Sequence, residues 1–386
     1  MIMEPHTKNR TFLILGGYGN TGFLLARLLL QETDLKLILA GRSREKAVQA
    51  AAHLNSLFKG NRVSGLKVDA SDSSDLKQAF KKVDFVLVAS STAKYVKEVA
   101  TEAIAAGIDY LDIQYSEKKV PVLQAMAPKI KDSGRCFITE AGFHPGLPAA
   151  MVRYSGQYFD RLERAVVSTV INADWGLSVS DATIYEFTEE FKDYQPFVFK
   201  RGQWQKPKVG GMFDSLKVDF GAEFGRRSCV PMTLEEMRSI PEIFPQIKET
   251  GFYIAGFNWF VDWLIFPIVM VALKLWPNKA VKPVGKLMFW GMKTFSSPPY
   301  GVVTKVEASG EKVGKAKEIE VSLYHQDGYL FTAIPVIACL LQYLDGSIKK
   351  PGLWMMGHLV EPNRLMKDME RLGIRVQVKD KTSQST

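Results

Sequence analysis

The chain has 386 residues, which is enough for two domains that each bury a hydrophobic core. Hydrophobic residues make up 46% of it and charged residues 24%, a balance that excludes an intrinsically disordered chain. The three cysteines lie far apart and form no CxxC pair, so we expect neither a disulfide framework nor a metal site. The first residues lack the apolar stretch of a secretory signal, and a cytoplasmic location is therefore expected.

A glycine-rich motif follows the first predicted strand. The segment RTFLILGG has the pattern of a buried parallel strand, and the leucines after Gly22 are spaced for one face of a helix. Gly17-x-Gly19-x-x-Gly22 therefore lies at a strand-to-helix turn, the context that a dinucleotide-binding motif requires. Gly17 would allow the tight turn, Gly19 the approach of a pyrophosphate, and Gly22 close packing of helix and strand, with Asn20 and Thr21 in the same loop. A purely structural turn is the alternative.

The end of the second predicted strand, in LKLILAG, indicates which dinucleotide binds. NAD sites usually carry an acidic residue at this point, for the ribose 2′-hydroxyl. This chain has Arg42, Ser43 and Arg44 instead. Two guanidinium groups and a hydroxyl suit a 2′-phosphate, so we expect NADP as the cofactor. The alternative is that these residues are only the basic start of the next helix.

Further strands alternate with helices up to about residue 150. The third predicted strand ends at Asp69, whose carboxylate would lie near the adenine, and the fourth, DFVLVASS, ends at Ser90 and Ser91, which would lie beside the bound cofactor. A fifth strand, IDYLDI, and a sixth, in CFITEAGFHPGLPAA, follow. Repeated strand–helix units predict a Rossmann-type doubly wound parallel sheet with its ligand at the carboxyl ends of the strands.

Tyr115 and Lys119 match the YxxxK spacing of short-chain dehydrogenases. In that class the two side chains lie one turn apart on a helix. Here the tyrosine directly follows a predicted strand, at a position too early in the chain for that class. We interpret the match as chance.

The motifs GGYGNTG, AGRSREK, DFVLVASS, AGIDYLDI and GFHPGLPA together resemble the saccharopine dehydrogenase family of NAD(P)-dependent oxidoreductases, and more narrowly its saccharopine dehydrogenase-like members. The resemblance implies an α/β fold, with a Rossmann domain at residues 10–148 completed by residues 352–380. It also implies a second α+β domain at residues 149–351, with a mostly antiparallel sheet and a hydrophobic helical insertion at residues 251–296. LERAVVSTVIN, PFVFKRGQW and KEIEVSLYH read as strands of that sheet, and ASGEKVGKAKE as a polar hairpin connection.

One motif departs from the amino-acid-metabolising members of that family, which have a Gly-Asp-Pro-Gly-like turn near the nicotinamide. This chain has His144 in place of the carboxylate. With an ordinary pKa, a histidine could donate a proton during reduction near neutral pH; alternatively, it only hydrogen-bonds the turn. Glu140, Asp174 and Tyr185 are weaker candidates for contacts with the substrate.

The most hydrophobic stretch of the chain, residues 251–277, is aromatic-rich and holds a single acid, Asp262, and a single base, Lys274. Spanning a bilayer takes about 20 mostly apolar residues. Asp262 near the middle and Pro267 favour an interfacial or re-entrant helix over a clean span. Residues 274–317 add nine lysines against two glutamates, which favours an anionic membrane surface as a partner. A buried core helix or a homodimer interface is the alternative.

Together these patterns predict a membrane-associated, NADP-dependent oxidoreductase. It would transfer a hydride between nicotinamide and a C=O, C=N or activated C=C group of a small molecule, and a membrane location would suit a hydrophobic substrate. A non-catalytic nucleotide-binding protein at a membrane surface is the alternative. Nucleic acid is not an expected partner, since the sequence has no recognised binding motif and no arginine-rich stretch.

Overall fold

A computed structural model describes residues 10–174, 181–192, 196–206 and 215–382. The chain forms two compact units, one of Met1–Ala150 with Thr332–Leu372 and one of Met151–Phe331 with Gly373–Thr386. Up to residue 156, strands alternate with helices along the chain. These elements are β1 (Thr11–Leu15), α1 (Asn20–Glu32), β2 (Lys36–Gly41), α2 (Arg44–Leu57), β3 (Val63–Lys67), α3 (Ser73–Phe80), β4 (Phe85–Val88), α4 (Val96–Ala106), β5 (Asp109–Asp112), α5 (Lys119–Asp132), β6 (Cys136–Thr139) and α6 (Leu147–Gly156).

From residue 161 onward, strands and helices follow one another in a less regular order. They are β7 (Arg161–Asn172), α7 (Asp181–Glu189), β8 (Val198–Lys200), β9 (Gln203–Gln205), β10 (Leu216–Asp219), β11 (Arg226–Met232), α8 (Glu235–Arg238), α9 (Ile240–Ile243), β12 (Glu249–Ala255), α10 (Phe266–Leu275), α11 (Val281–Phe295), β13 (Gly301–Lys312), β14 (Lys315–His325), α12 (Gly328–Leu344), β15 (Gly352–Met355), α13 (Met356–Leu359), α14 (Pro362–Arg371) and β16 (Arg375–Asp380).

The first unit contains a seven-stranded sheet in the order β15-β6-β5-β4-β1-β2-β3, and its described strand pairs are all parallel. β4, β5 and β6 are buried along their whole length, as expected for the central strands of a parallel sheet, and β4 is a continuous apolar run. From β1 the chain builds outward to β3 and then returns to β4 on the other side of β1. In such sheets the ligand binds at this reversal, outside the carboxyl ends of the strands. The predicted doubly wound fold is confirmed.

The second unit contains a mixed sheet in the order β10-β11-β12-β7-β13-β14-β16, with β8 also paired to β12. Only β7 and β12 are parallel among its described pairs, so the sheet is mostly antiparallel. β13 and β14 continue through the segment expected as a polar connection, and their turn is only Val313 and Gly314. Both turn residues have positive φ angles, 52° and 70°, as two-residue hairpins with a primed turn require.

The C-terminal segment differs from the expectation for residues 352–380. β15 joins the parallel sheet beside β6, but β16 pairs with β14 in the mixed sheet. The residues of β16 are mostly exposed, which suits a strand at the edge of a sheet. The free edge of β14 supplies the backbone hydrogen-bond partners of β16. The part of the C-terminal segment that belongs to the first unit starts at Thr332 in α12, before the expected residue 352. In this part of α12, the buried Tyr343 hydroxyl donates to Asp109 of β5.

The hydrophobic insertion also differs from the interfacial or re-entrant helix expected in residues 251–277. Residues 251–255 lie in β12, and the helical part comprises one wide turn (Val261–Ile265), α10 and α11. α10 and α11 pack together through a buried apolar cluster, and a Cβ on Gly291 would lie 2.4 Å from the Ile265 side chain. Among the described residues, none of the helices combines the length and apolarity needed to cross a membrane.

Candidate functional site

The glycine loop joins β1 to α1 at the carboxyl edge of the parallel sheet. The Gly19 N–H donates to the Gly16 carbonyl at 2.9 Å, which closes the turn. A Cβ on Gly22 would lie 2.2 Å from the Gly16 oxygen, and one on Gly17 would lie 2.9 Å from Leu39 Cα, so both positions require glycine for packing. Gly19 is exposed and would place a Cβ no closer than 3.2 Å to the protein. Its lack of a side chain therefore leaves open surface at the start of α1, where backbone N–H groups favour an anion.

The basic turn at the end of β2 is tied to the glycine loop by Tyr18. The Ser43 N–H donates to the Tyr18 hydroxyl at 3.1 Å, and a Cβ on Gly41 would lie 2.6 Å from the Tyr18 ring. The Ser43 hydroxyl caps α2 by accepting from the Lys46 N–H at 3.3 Å, which leaves its proton to donate elsewhere. Arg42 and Arg44 on either side of it are exposed. This turn can present two guanidinium groups and a hydroxyl to a phosphate.

Asp69 follows β3 at the same edge of the sheet. Its carboxylate accepts from the Ser71 N–H at 2.9 Å and from the Ser71 hydroxyl at 2.7 Å. These bonds from Ser71, with a smaller contribution from the positive charge of Arg42, hold the pKa of Asp69 below its usual value. Asp69 is therefore an anion that shapes its own turn, and Asp72 caps α3.

Ser90 and Ser91 follow β4 and lie across the sheet from the basic turn. Ser90 is next to the glycine loop, because a Cβ on Gly16 would lie 2.8 Å from Ser90 Cβ. The Ser90 and Thr92 hydroxyls are 2.9 Å apart, and the Gln114 amide donates to the Ser90 carbonyl at 2.6 Å. The fold thus brings the predicted cofactor residues from four strand ends to one edge of the sheet.

A buried polar network at the ends of β5 and β6 is a feature that sequence reasoning missed. The carboxylate of Asp112 accepts from the hydroxyls of Tyr110 and Thr139 at 2.9 and 2.8 Å, and from the Lys119 ammonium. The side chains of both Asp112 and Lys119 are fully buried. Tyr115 precedes α5 and Lys119 begins it, so they do not form the helical pair of short-chain dehydrogenases. A lysine followed by an apolar helix was the available signal for burial.

The turn after β6 is held in an unusual backbone conformation. Glu140 has a φ of 55°, and a Cβ on Gly146, where φ is 117°, would lie 2.7 Å from the Glu140 carbonyl oxygen. Burial lowers the pKa of His144, in the same turn, to about 4. The imidazole is therefore neutral near pH 7, and the expectation of a pKa near neutrality is not met because the ring is desolvated.

The two other candidates lie in the second unit. Tyr185 is on α7, where it packs against the α10–α11 cluster, and its hydroxyl is 3.4 Å from the Glu189 carboxylate. These contacts account for Tyr185 as part of the helical packing. Asp174 follows β7. Within the described ranges, no group of three or more histidine, cysteine or acidic side chains is placed to hold a metal ion.

Comparisons with known proteins show what the NADP-binding domain and the fold are similar to. A model of the saccharopine dehydrogenase NADP binding domain matches residues 12–137, which confirms NADP as the cofactor. The chain is 26% identical over 398 residues to carboxynorspermidine synthase of Vibrio cholerae, covering 93% of this chain and 94% of that protein. Apo saccharopine dehydrogenase (L-Glu forming) from Saccharomyces cerevisiae shares the fold, with a TM-score of 0.72 at 15% identity over 96% of this chain and 100% of that one. Residues 12–137 therefore match an NADP-binding domain of the saccharopine dehydrogenase type, and the chain as a whole has the fold of a saccharopine dehydrogenase.

Proposed function

We propose that the protein transfers a hydride between nicotinamide and a C=O, C=N or activated C=C group of a small molecule. The observation that carries this proposal is the convergence of the glycine loop and the basic turn at one sheet edge, linked by the bond from the Ser43 N–H to the Tyr18 hydroxyl. Bound NADPH supplies the hydride, while the protein binds it, orients it and excludes water.

The proposed roles of the cofactor residues follow their positions on the sheet. The backbone of the loop at Gly17–Gly22 binds the pyrophosphate, with Gly19 leaving room for its approach. Arg42 and Arg44 pair with the 2′-phosphate, and Ser43 donates its hydroxyl proton to it. Asp69 borders the adenine, and the segment from Ser90 to Ser91 borders the nicotinamide ribose.

His144 is the proposed proton donor in the direction of reduction. Burial keeps its imidazole neutral at pH 7, so it would donate from a neutral N–H, as a desolvated histidine can when it polarises a carbonyl. The negative charge that develops on the substrate would then be met by a hydrogen bond at the turn after β6. A proton donated from the neutral ring would be replaced from solvent before the next turnover.

A fluorescence titration with NADPH and with NADH tests the cofactor roles. We expect Arg42→Ala/Arg44→Ala to weaken NADPH binding by roughly 100-fold, since each charge-assisted contact contributes about 1.5 kcal/mol, and to leave NADH binding unchanged. Lys81→Ala/Lys82→Ala is the matched control, because it removes two exposed charges just after α3. Equal NADPH affinity in both double variants would contradict the assignment of the basic turn.

Turnover separates this proposal from the non-catalytic alternative. Wild-type protein should oxidise NADPH with at least one class among carbonyl, imine and enoyl compounds. His144→Gln should lower kcat and leave the NADPH Kd unchanged. A protein that binds NADPH tightly and oxidises it with none of these classes is a nucleotide-binding scaffold.

We also propose that residues 259–295, called here the α10–α11 region, bind an anionic lipid surface. Trp259, Trp263 and Trp276 are 64%, 73% and 59% exposed there. Further apolar side chains of the same region are at least half exposed: Ile268, Val271, Leu275 and Trp290. Five exposed lysines lie between residues 274 and 293, a range that holds no acidic residue. Exposed tryptophans beside lysines suit the boundary between headgroups and acyl chains.

Flotation with phosphatidylcholine vesicles, with and without phosphatidylserine, tests the lipid proposal. We expect binding that requires phosphatidylserine, falls with added salt and is lost in Trp259→Ser/Trp263→Ser/Trp276→Ser. Trp354→Ser is a control outside the region. Sedimentation of the same proteins detects the alternative, because a wild-type dimer that this triple variant dissociates would assign the surface to self-association instead.

A further inference from the structure

The polar network at the ends of β5 and β6 extends to the strand end that borders the cofactor. Asp112 is saturated by donors: besides Tyr110, Thr139 and Lys119, the N–H groups of Gln114 and Glu140 lie 3.3 and 3.4 Å from it. Five donors on one carboxylate bind the ends of two strands into one rigid unit.

Lys119 connects the Asp112 carboxylate to the backbone of Gln114. Its ammonium donates to the Asp112 carboxylate and also to the main-chain oxygen of Gln114 at 2.5 Å. The buried lysine thus holds Gln114 by its carbonyl, while Asp112 holds it by its N–H. Two apolar side chains in place of Asp112 and Lys119 could fill the same volume, but they would not hold both the N–H and the carbonyl of Gln114.

The Gln114 side chain crosses to the loop after β4. Its amide donates to the Ser90 carbonyl at 2.6 Å and to the Thr92 hydroxyl at 3.1 Å. The Thr92 hydroxyl is in turn 2.9 Å from the Ser90 hydroxyl, and Ser90 borders Gly16 of the glycine loop. One continuous path of hydrogen bonds therefore runs from Lys119 to the edge of the cofactor loop.

The topology identifies the part of the cofactor that this path reaches. In the proposed binding mode the pyrophosphate would lie at the end of β1 and the 2′-phosphate at the end of β2, so the other half of the dinucleotide would extend toward β4 and β5. We infer that Gln114, fixed by the Asp112–Lys119 pair, is a positioning residue that orients the Ser90–Thr92 segment for the nicotinamide half of NADP(H). This inference rests on the proposed function, because it assumes that the cofactor binds at this edge.

Two ligands separate a positioning role from a purely structural one. NADPH has both halves, whereas adenosine 2′,5′-bisphosphate has the adenine and the 2′-phosphate but no nicotinamide. We expect Gln114→Met, which keeps the length of the side chain without its donor, to weaken NADPH binding roughly tenfold. Binding of adenosine 2′,5′-bisphosphate should stay at the wild-type value.

Gln342→Met is the matched control, since Gln342 is also buried in the first unit and also donates its amide to a main-chain carbonyl, that of Glu361, at 3.2 Å. It should lower thermal stability and leave the ratio of the two dissociation constants unchanged. Thr92→Val removes the second acceptor of Gln114 together with the contact between the Thr92 and Ser90 hydroxyls, so it reports on the same path if Gln114→Met does not fold. We expect it to weaken NADPH binding severalfold, again without an effect on the bisphosphate.

Three results would overturn the inference. Equal weakening of both ligands by Gln114→Met and Thr92→Val would show a general structural role. Wild-type affinities for both ligands in these variants would show that the path does not reach the cofactor. Failure of the wild-type protein to bind either ligand would overturn the proposed function as well, and this result differs from the other two.

Discussion

Gly19 and Gly22 are three residues apart in the same loop, yet the structure assigns different reasons to them. A Cβ on Gly22 would lie 2.2 Å from the Gly16 carbonyl oxygen, at least 1.2 Å inside the 3.4–4 Å of ordinary contact. The β1–α1 turn would have to open, at a cost of about 1–3 kcal/mol or more. Gly19 has φ −76° and ψ 165°, values that alanine adopts readily, and its nearest contact would be 3.2 Å. We expect Gly19→Ala to change the free energy of unfolding by less than about 1 kcal/mol.

The two variants should therefore separate stability from binding. Gly22→Ala should lower the unfolding temperature of the protein without ligand, because its clash is with protein atoms. Gly19→Ala should unfold like wild type without ligand but bind NADPH at least about tenfold more weakly, because its methyl group would occupy the surface that a pyrophosphate approaches.

Thermal unfolding, with and without NADPH, measures both quantities on the same samples. NADPH at 100 times its dissociation constant should stabilise wild-type protein by about 2.7 kcal/mol, and a tenfold loss of affinity at the same concentration removes about half of that. If Gly19→Ala keeps the full stabilisation by NADPH, the backbone at Gly19 does not contact the cofactor. The loop would then be a packing turn, and the reasoning from the glycine pattern would be refuted.

Three further predictions concern buried ionisable groups. Burial raises the pKa of Asp262 from 3.8 to about 6, so the folded state loses up to roughly 3 kcal/mol of stability as the pH rises from 4 through 6. Asp262→Asn should therefore raise Tm at pH 7.5 but not at pH 4. The amide oxygen of the asparagine can still accept the hydrogen bond from the Phe257 N–H. The pKa of His144 is lowered from 6.5 to about 4, so stability is lost as the pH falls between these values, and His144→Gln should lose up to roughly 3 kcal/mol less over that range in urea titrations. Lys119→Met leaves the Asp112 carboxylate buried without its cation and should lower the free energy of unfolding by roughly 3–5 kcal/mol. Adding Asp112→Asn to this variant should recover part of that stability. If the two single losses simply add in the double variant, the pair is not coupled.

The parallel sheet could be predicted because strands such as β1 and β4 are short apolar runs that alternate with helical patterns along the chain. The insertion was harder to predict, because an apolar run has the same appearance in a buried strand and in a helix. Residues 251–255 are a central strand, and the helical part begins only after Asn258, whose side-chain oxygen accepts from the Val261 N–H at 3.0 Å. Asparagine is a common N-cap residue, so the start of the helical part after Asn258 could have been predicted from the sequence.

The cofactor loop and the basic turn could be predicted because their residues are consecutive and their roles depend on backbone shape and charge. The Asp112 network could not, since Asp112 and Thr139 are 27 residues apart and meet only when β5 pairs with β6. The location of β16 has the same cause. Its mostly exposed sequence fits an edge strand, and all six of its residues pair with the long β14 strand.

Most of the tryptophan surface in the α10–α11 region is exposed and does not hold the helices together, although Trp259 also makes edge contacts with the rings of Phe260 and Phe295. The contact between α10 and α11 is made by the opposite, buried stripe, in which Val269 and Met288 are fully buried, whereas Trp263 is 73% exposed and so contributes little apolar burial. A sequence selected only for folding would place polar residues at such positions, because exposed aromatic side chains promote aggregation. The triple tryptophan-to-serine variant should therefore keep the wild-type NADPH affinity while it loses lipid binding, and its unfolding temperature should fall no further than in Trp259→Ser alone, which removes the contacts with Phe260 and Phe295. A larger loss of stability in the triple variant would mean that Trp263 and Trp276 are buried by protein in solution, and the lipid surface would no longer account for them.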